Sequence, residues 1–174
     1  MIQDLVASRE KTHENRGTDL TGDPVSPGAP YLFNRTLDAP LLSTAAAKIY
    51  HTDVATALYL ANRTRPTITL PIGELCRHVK EPTVEDDRKL DRVIAYLRHT
   101  RDVPLRLGCD MPPRVTVSID AAFANRENMK STSGMCVTLG VGNFISSSKI
   151  QKLNSKSSTE AEIIAVSDGM NIPL

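Results

Sequence analysis

Apolar positions recur at helical spacing through the first hundred residues and alternate with polar ones after Val103. The pattern therefore divides the chain into a helical part and a strand-rich part. Ile2, Leu5 and Val6 share one side of a short helix predicted over residues 1–11. Residues 12–40 hold Gly17, Gly22, Pro24, Pro27, Gly28, Pro30 and Pro40 with few apolar residues between. They predict an extended linker or surface-draped loop, pinned by Tyr31-Leu32-Phe33. Ser43 is the cap expected for a helix over 44–63, with Ile49, Val54, Leu58 and Leu60 inward and Tyr50 and Tyr59 flanking. Pro66 suits the first position of a helix over 67–79 that buries Ile68, Ile72, Leu75 and Val79. Pro71 falls inside it and predicts a kink or a late start, because proline lacks an N–H and crowds the preceding turn. Thr83 with Asp86 resembles a capping box and opens a helix over 84–99 with Leu90, Val93, Ile94 and Leu97 inward. Its other face, Glu85 to Lys89 with Asp91, Arg92 and Arg98, is expected to be a solvated surface of mixed charge. The basic end, Arg92, Arg98, His99 and Arg101, is a weaker candidate for phosphate contact.

After Val103 the period becomes two. Val103, Leu105 and Leu107 predict a short strand, and Gly108 to Pro113 a break. Val115, Val117 and Ile119 alternate with Thr116 and Ser118 in a strand that ends at Asp120. Residues 124–132 form a turn, Met135 to Leu139 a second strand, and Gly140-Val141-Gly142-Asn143 a hairpin signal. Phe144 to Lys149 is a third strand. Ser157, Ser158 or Thr159 then caps a helix whose expected apolar face is Ile163, Ile164 and Val166. The fold class is α+β: a helical lead-in, then a three-stranded sheet with one covering helix. Three regions follow: 1–42, a short helix and linker; 43–102, helical; and 103–174, the half-sheet.

Composition adds little. Charged residues are 24% and net charge is +1, so no global basic signal points to nucleic acid. Cys76, Cys109 and Cys136 fit neither a disulfide framework nor a zinc pattern, which favours a reducing, intracellular setting, cytoplasmic or nuclear. No run approaches the roughly 18 apolar residues of a membrane helix, and Asp4 stands where a signal peptide would carry base. No membrane partner is expected.

Five blocks, in order, resemble the polyprotein of copia-type LTR retrotransposons, at the end of reverse transcriptase and the start of its RNase H domain. Ala57 to Pro66 (ALYLANRTRP) is similar to the family's LLYLA..TRPD, and Arg92 to Thr100 (RVIAYLRHT) to RVLRYLKGT. Asp120 to Ala124 (DAAFA) resembles DADWA, Lys130 to Gly134 (KSTSG) resembles RKSTSG, and Lys156 to Glu162 (KSSTEAE) resembles LSSTEAEY. The blocks cover roughly residues 43–168; the polymerase's YVDD signature does not occur. The resemblance implies a thumb- or connection-like helical region followed by a truncated RNase H-like domain.

RNase H chemistry hydrolyses the RNA strand of an RNA–DNA hybrid with two divalent ions about 4 Å apart. Mg²⁺ (or Mn²⁺) needs hard oxygen ligands, so carboxylates from different elements must converge. By the resemblance Asp120 and Glu162 are the catalytic and metal-binding carboxylates. Glu160, about 200° around the helix from Glu162, cannot face the same ion and is read as a first-turn residue. By the resemblance Ser158 and Thr159, beside their capping role, lie near the hybrid's minor groove, where hydroxyls can meet sugar and phosphate. Lys130, Lys149, Lys152 and Lys156 are the basic neighbourhood, of which Lys130, Lys149 and Lys156 are taken as phosphate contacts. The family uses four acidic ligands. Only two have matching positions, and Asp168 matches neither of the others and reads as a helix-end polar residue. A fragment with half the cage holds Mg²⁺ weakly and has little or no activity alone. Its sheet has an open edge that invites pairing with another chain. The alternatives are a non-catalytic remnant that binds nucleic acid or protein, and an unrelated small α/β protein.

Overall fold

Helices start where side chains can satisfy free backbone amides. In the computed structural model, which describes residues 1–15, 17, 19–36, 38–126 and 128–170, Ser43 Oγ accepts from Ala46 N–H at the start of helix α2 (Thr44–Arg63). Thr83 and Asp86 form a full capping box at the start of α4 (Val84–His99). The first helix, α1 (Ile2–Asn15), runs one turn beyond the predicted 1–11. Pro71 produces the late start: a 3₁₀ turn over Pro66–Ile68 precedes α3 (Thr69–Leu75), so the proline stands in the first turn, where its missing N–H has no partner to lose. A second 3₁₀ turn, Cys76–His78, follows. Arg16, Thr18 and Leu37 of the predicted linker, Glu127 of the 124–132 turn and residues 171–174 of the tail lie outside the described residues.

The chain divides into two compact units, Met1–Pro104 and Leu105–Leu174. The first buries Val54, Ala57, Ile68, Ile72, Leu75, Leu90, Val93, Ile94 and Leu97 almost completely. Two expectations change. Tyr50 lies in the core, because its hydroxyl donates to the Leu75 carbonyl oxygen (3.1 Å), one of the orphan acceptors at the end of α3; Ile49 and Leu58 are exposed instead. Of the two alternatives for the segment after α1, its described residues match the surface-draped loop: Leu20, Ala29 and Leu32 are buried, and Arg98 donates to the carbonyl oxygens of Leu20 (2.8 Å) and Gly22 (3.0 Å). Arg98 is thus a structural residue, not an open phosphate contact.

The charged face of α4 is the larger correction. Asp87 is buried with Arg9 of α1, which is fully buried. Arg9 Nη2 meets Asp87 Oδ1 at 2.5 Å, its Nε meets Asp91 Oδ1 at 2.6 Å, and its Nη1 meets Asp53 Oδ2 of α2 at 3.4 Å. His13 Nε2 lies 2.8 Å from Asp91 Oδ1. A planar guanidinium with five donors can serve three carboxylates on two helices at once.

Asp53 is the weak member of this cluster. Burial pushes its carboxyl up to about 6, although Arg9 pulls the other way. A folded-state value above the unfolded one means the native state holds the proton more tightly. The stabilising contribution is therefore complete below about pH 4 and lost as pH rises through about 6. Asp86 has the opposite sign. Burial raises it, but hydrogen bonds from His78 and from the Thr83 amide and hydroxyl outweigh this and hold it down to about 2. Its contribution is present above about pH 4 and lost as pH falls toward 2. Asp53→Asn should raise stability at neutral pH by about 1–3 kcal/mol and flatten the slope between pH 4 and pH 6. Chemical denaturation of both proteins across that range checks this; an unchanged slope would contradict it.

The second unit contains β1 (Gly108–Cys109), β2 (Thr116–Ala122), β3 (Thr132–Thr138), β4 (Gly140–Val141), β5 (Asn143–Ile150) and α5 (Ser158–Gly169). Strands β2, β3 and β5 form an antiparallel sheet in the order β2-β3-β5, with Asp120 opposite Gly134 and Gly134 opposite Ser148. The predicted strand over Val103–Leu107 does not form. Only Gly108 and Cys109 pair, with Val141 and Gly140, in a separate two-stranded ribbon. Gly140 (φ 144) and Gly142 (φ 72) adopt conformations that a side chain resists.

Helix α5 keeps only part of its predicted face: Ala161 and Ala165 are buried and Ile164 is half-buried, whereas Ile163 and Val166 are exposed. Small residues let the helix approach the sheet closely. Gln151, 1% exposed at the end of β5, fixes it there, its Nε2 donating to the Ala161 carbonyl oxygen (2.7 Å) and to Ser133 Oγ (3.0 Å).

Candidate nucleic-acid and metal site

Asp120 belongs to β2, the outer strand of the sheet, and its side chain is exposed. Its direction follows from its neighbours. A methyl group built on Gly169 of α5 would meet Ile119 Cδ1 at 2.6 Å and Met135 Sδ at 3.8 Å, so Ile119 and Met135 turn toward the helix. Strand neighbours alternate between faces, so Asp120 turns to the face away from α5. The row across the sheet at that level, Asp120, Gly134 and Ser148, carries one acid, no side chain and one small hydroxyl. That leaves the carboxylate room on its own face.

Glu162 follows buried Ala161 on α5 and is exposed. Gly169, seven residues on and so on nearly the same side of the helix as Glu162, lies against Ile119 of β2, which sets Glu162 toward the β2 side. The two carboxylates thus come from neighbouring elements but from different faces of the sheet, divided by the edge of β2. Neither makes a hydrogen bond or ion pair with another described residue. Among the described residues no group of three or more His, Cys, Asp or Glu is arranged to hold a metal ion. Two carboxylates in this disposition do not fit a two-ion centre by themselves, since Mg²⁺ asks for near-octahedral oxygen ligands.

Ser157 is the cap of α5: its Oγ accepts from Glu160 N–H (3.2 Å). Glu160 reaches back so that its carboxylate accepts from Lys156 N–H (2.6 Å), a reciprocal pair displaced one residue from the usual capping box. This leaves Ser158 and Thr159 exposed beside the exposed Lys156, three of the predicted contacts on one helix start. Lys130 stands apart, just before β3, its own N–H donating to Asn128 Oδ1 (3.3 Å). Lys149 is drawn elsewhere. By register it shares a row with Ser133 and Ala121, the helix-side face, and with Lys152, Ser133, Ser147 and Asp168 it lines a cavity of about 240 Å³. It does not share a face with Asp120.

Sequence reasoning missed Gln151 and Ser133, the polar contacts that seat α5. The available signal was a lone glutamine directly after an alternating strand, followed by an Asn-Ser-Lys-Ser-Ser turn.

No protein-family model matches the chain, and no solved structure matches it. Curated sequences do. The chain is 31% identical over 169 residues, 96% of its length, to a putative transposon Ty5-1 protein of Saccharomyces cerevisiae, of which the match covers 53%. It is 32% identical over 120 residues, 68% of the chain and 9% of the relative, to the retrovirus-related Pol polyprotein from transposon TNT 1-94 of Nicotiana tabacum. It is 31% identical over 120 residues to the secreted RxLR effector protein 161 of Plasmopara viticola, covering 84% of that protein. The chain thus spans about half the length of the yeast relative. None of the described helices is long and apolar enough to cross a membrane. By these relationships, the chain is similar in sequence to retrotransposon proteins, among them a retrovirus-related Pol polyprotein.

Proposed function

We propose that the chain is a piece of a copia-type polyprotein, covering the end of its reverse transcriptase and the first part of its RNase H domain. Its ancestral reaction is metal-dependent hydrolysis of RNA in RNA–DNA hybrids, and the piece by itself has little or no such activity. The observation that carries this reading is the element order: three antiparallel strands, Asp120 on the first, then a helix bearing Glu162. The transposon relatives support it from sequence. Mg²⁺ or Mn²⁺ is the cofactor of the ancestral reaction, and two acids held apart by a strand edge would retain it weakly.

The same separation favours a second reading, a non-catalytic remnant that still holds nucleic acid. The exposed Ser158, Thr159 and Lys156 are its contacts. An end-labelled RNA–DNA hybrid incubated with the full chain in Mn²⁺ should yield at most trace product, and Asp120→Asn should remove that trace. Cleavage that survives the substitution would take Asp120 out of the site. Vigorous cleavage by the native chain would overturn the inactivity. Hybrid binding measured across a salt series separates the readings, since phosphate contacts weaken as salt rises.

A further inference from the structure

The two edges of the three-stranded sheet differ. The β5 edge carries Lys149, a register irregularity at Val137/Thr138 in its pairing and glycine-rich turns at one end, all features that discourage strand addition. The β2 edge has none of these. Its seven residues, Thr116–Ala122, contain no lysine, proline or bulge, and Asp120 is their one charge. Among the described residues no backbone hydrogen bond beyond the β2–β3 ladder engages this strand. Outer-edge amides and carbonyls therefore face outward along the strand.

Apolar exposure concentrates nearby. Val115 is 50% exposed, Val117 44% and Phe123 40%, with Val166 of α5 at 45%. Meanwhile the second unit's fully buried apolar side chains, among the described residues, are Val137, Ala161 and Ala165. So small a core leaves the unit well short of the burial that stabilises a domain of this size, and covering the β2 edge supplies more.

We infer that this edge pairs with the β2 edge of a second copy of the chain. The sequence of the strand is compatible with itself. Full antiparallel overlap is centred on Ile119, the midpoint of 116–122, which sets Thr116 opposite Ala122, Val117 opposite Ala121 and Ser118 opposite Asp120 of the second copy. No like charges stand directly opposite, and each Asp120 gains a hydroxyl across the pair. Val117 and Ala121 point to the helix side in both copies, so a continuous six-stranded sheet forms with both α5 helices on one face. The interface is isologous and closes at two chains. This pairing depends on the strand edge, not on the carboxylate reading of the site.

A seven-residue edge is a small interface beside the roughly 1,000 Å² of a stable one, so the association is expected to be weak and reversible. Sedimentation of the full chain over a wide concentration range should show a reversible monomer–dimer equilibrium. Val117→Lys, at a half-exposed position, should shift the Kd at least tenfold toward monomer with unchanged circular dichroism. Independently of that variant, Thr116→Cys with Ala122→Cys in a Cys109→Ser background should give a covalent dimer under mild oxidation, because these positions meet across the pair. A chain that stays monomeric at every concentration and gives no cross-linked dimer overturns the proposal. A Val117→Lys chain that dimerises as well as the native one places the contact elsewhere and overturns it too.

Discussion

Replacing Arg9 with methionine is expected to lower the unfolding free energy of the helical unit by about 3–5 kcal/mol. The methionine keeps much of the volume but removes the one group that, among the described residues, reaches Asp53, Asp87 and Asp91 together. Two of these carboxylates are almost fully buried, and without the guanidinium they face one another in a medium that cannot solvate them. The helical circular dichroism signal, followed through a denaturant titration, reads the loss. A second substitution separates charge from packing. Arg9→Met combined with Asp87→Asn should recover part of the loss, because one of the buried like charges is gone. Equal stability of Arg9→Met and native protein would mean that the cluster contributes nothing net.

Gly142→Ala is expected to have the next largest effect, confined to the second unit. At φ 72 an alanine carries a backbone penalty of about 1–3 kcal/mol. Its Cβ would also lie 2.0 Å from the Arg106 carbonyl oxygen, a backbone atom that cannot step aside. The turn between β4 and β5 must then shift, and with it the pairing of Gly108 with Val141. Amide exchange should rise at residues 140–145 and 106–110 while that of α2 and α4 stays unchanged. Native-like protection in the turn would show that the close approach is not required.

Helix starts and the sheet were legible in the sequence because local chemistry decides them. Ser43, Thr83 and Ser157 are hydroxyl residues standing where helical spacing begins, and the alternation from Val115 to Ile119 reads as a strand. What was not legible depended on distant partners. Nothing local marks Arg9 as buried; its place depends on Asp87 and Asp91, 78 and 82 residues away. Counting charge on one face of α4 suggested solvent, yet the same carboxylates are a receptor for a cation from another helix. In α5 the apolar count misled. Ile163 and Val166 promised the buried face, but the close approach of helix to sheet selects Ala161 and Ala165. The candidate site was legible as two residues on two elements. Their relative direction was not, because a strand's facing is set by what packs on it, here Ile119 beneath Gly169.

Gln151 has a consequence for how the second unit keeps a single arrangement. A helix seated mainly on Ala161 and Ala165 has few interlocking side chains to hold its position along the pleats, Gly169 against Ile119 apart. Each slid position would withdraw the Ala161 carbonyl from the glutamine's amide and leave a polar pair sealed from water without a mate. The amide thus acts as a detent: it adds modest adhesion but selects one register.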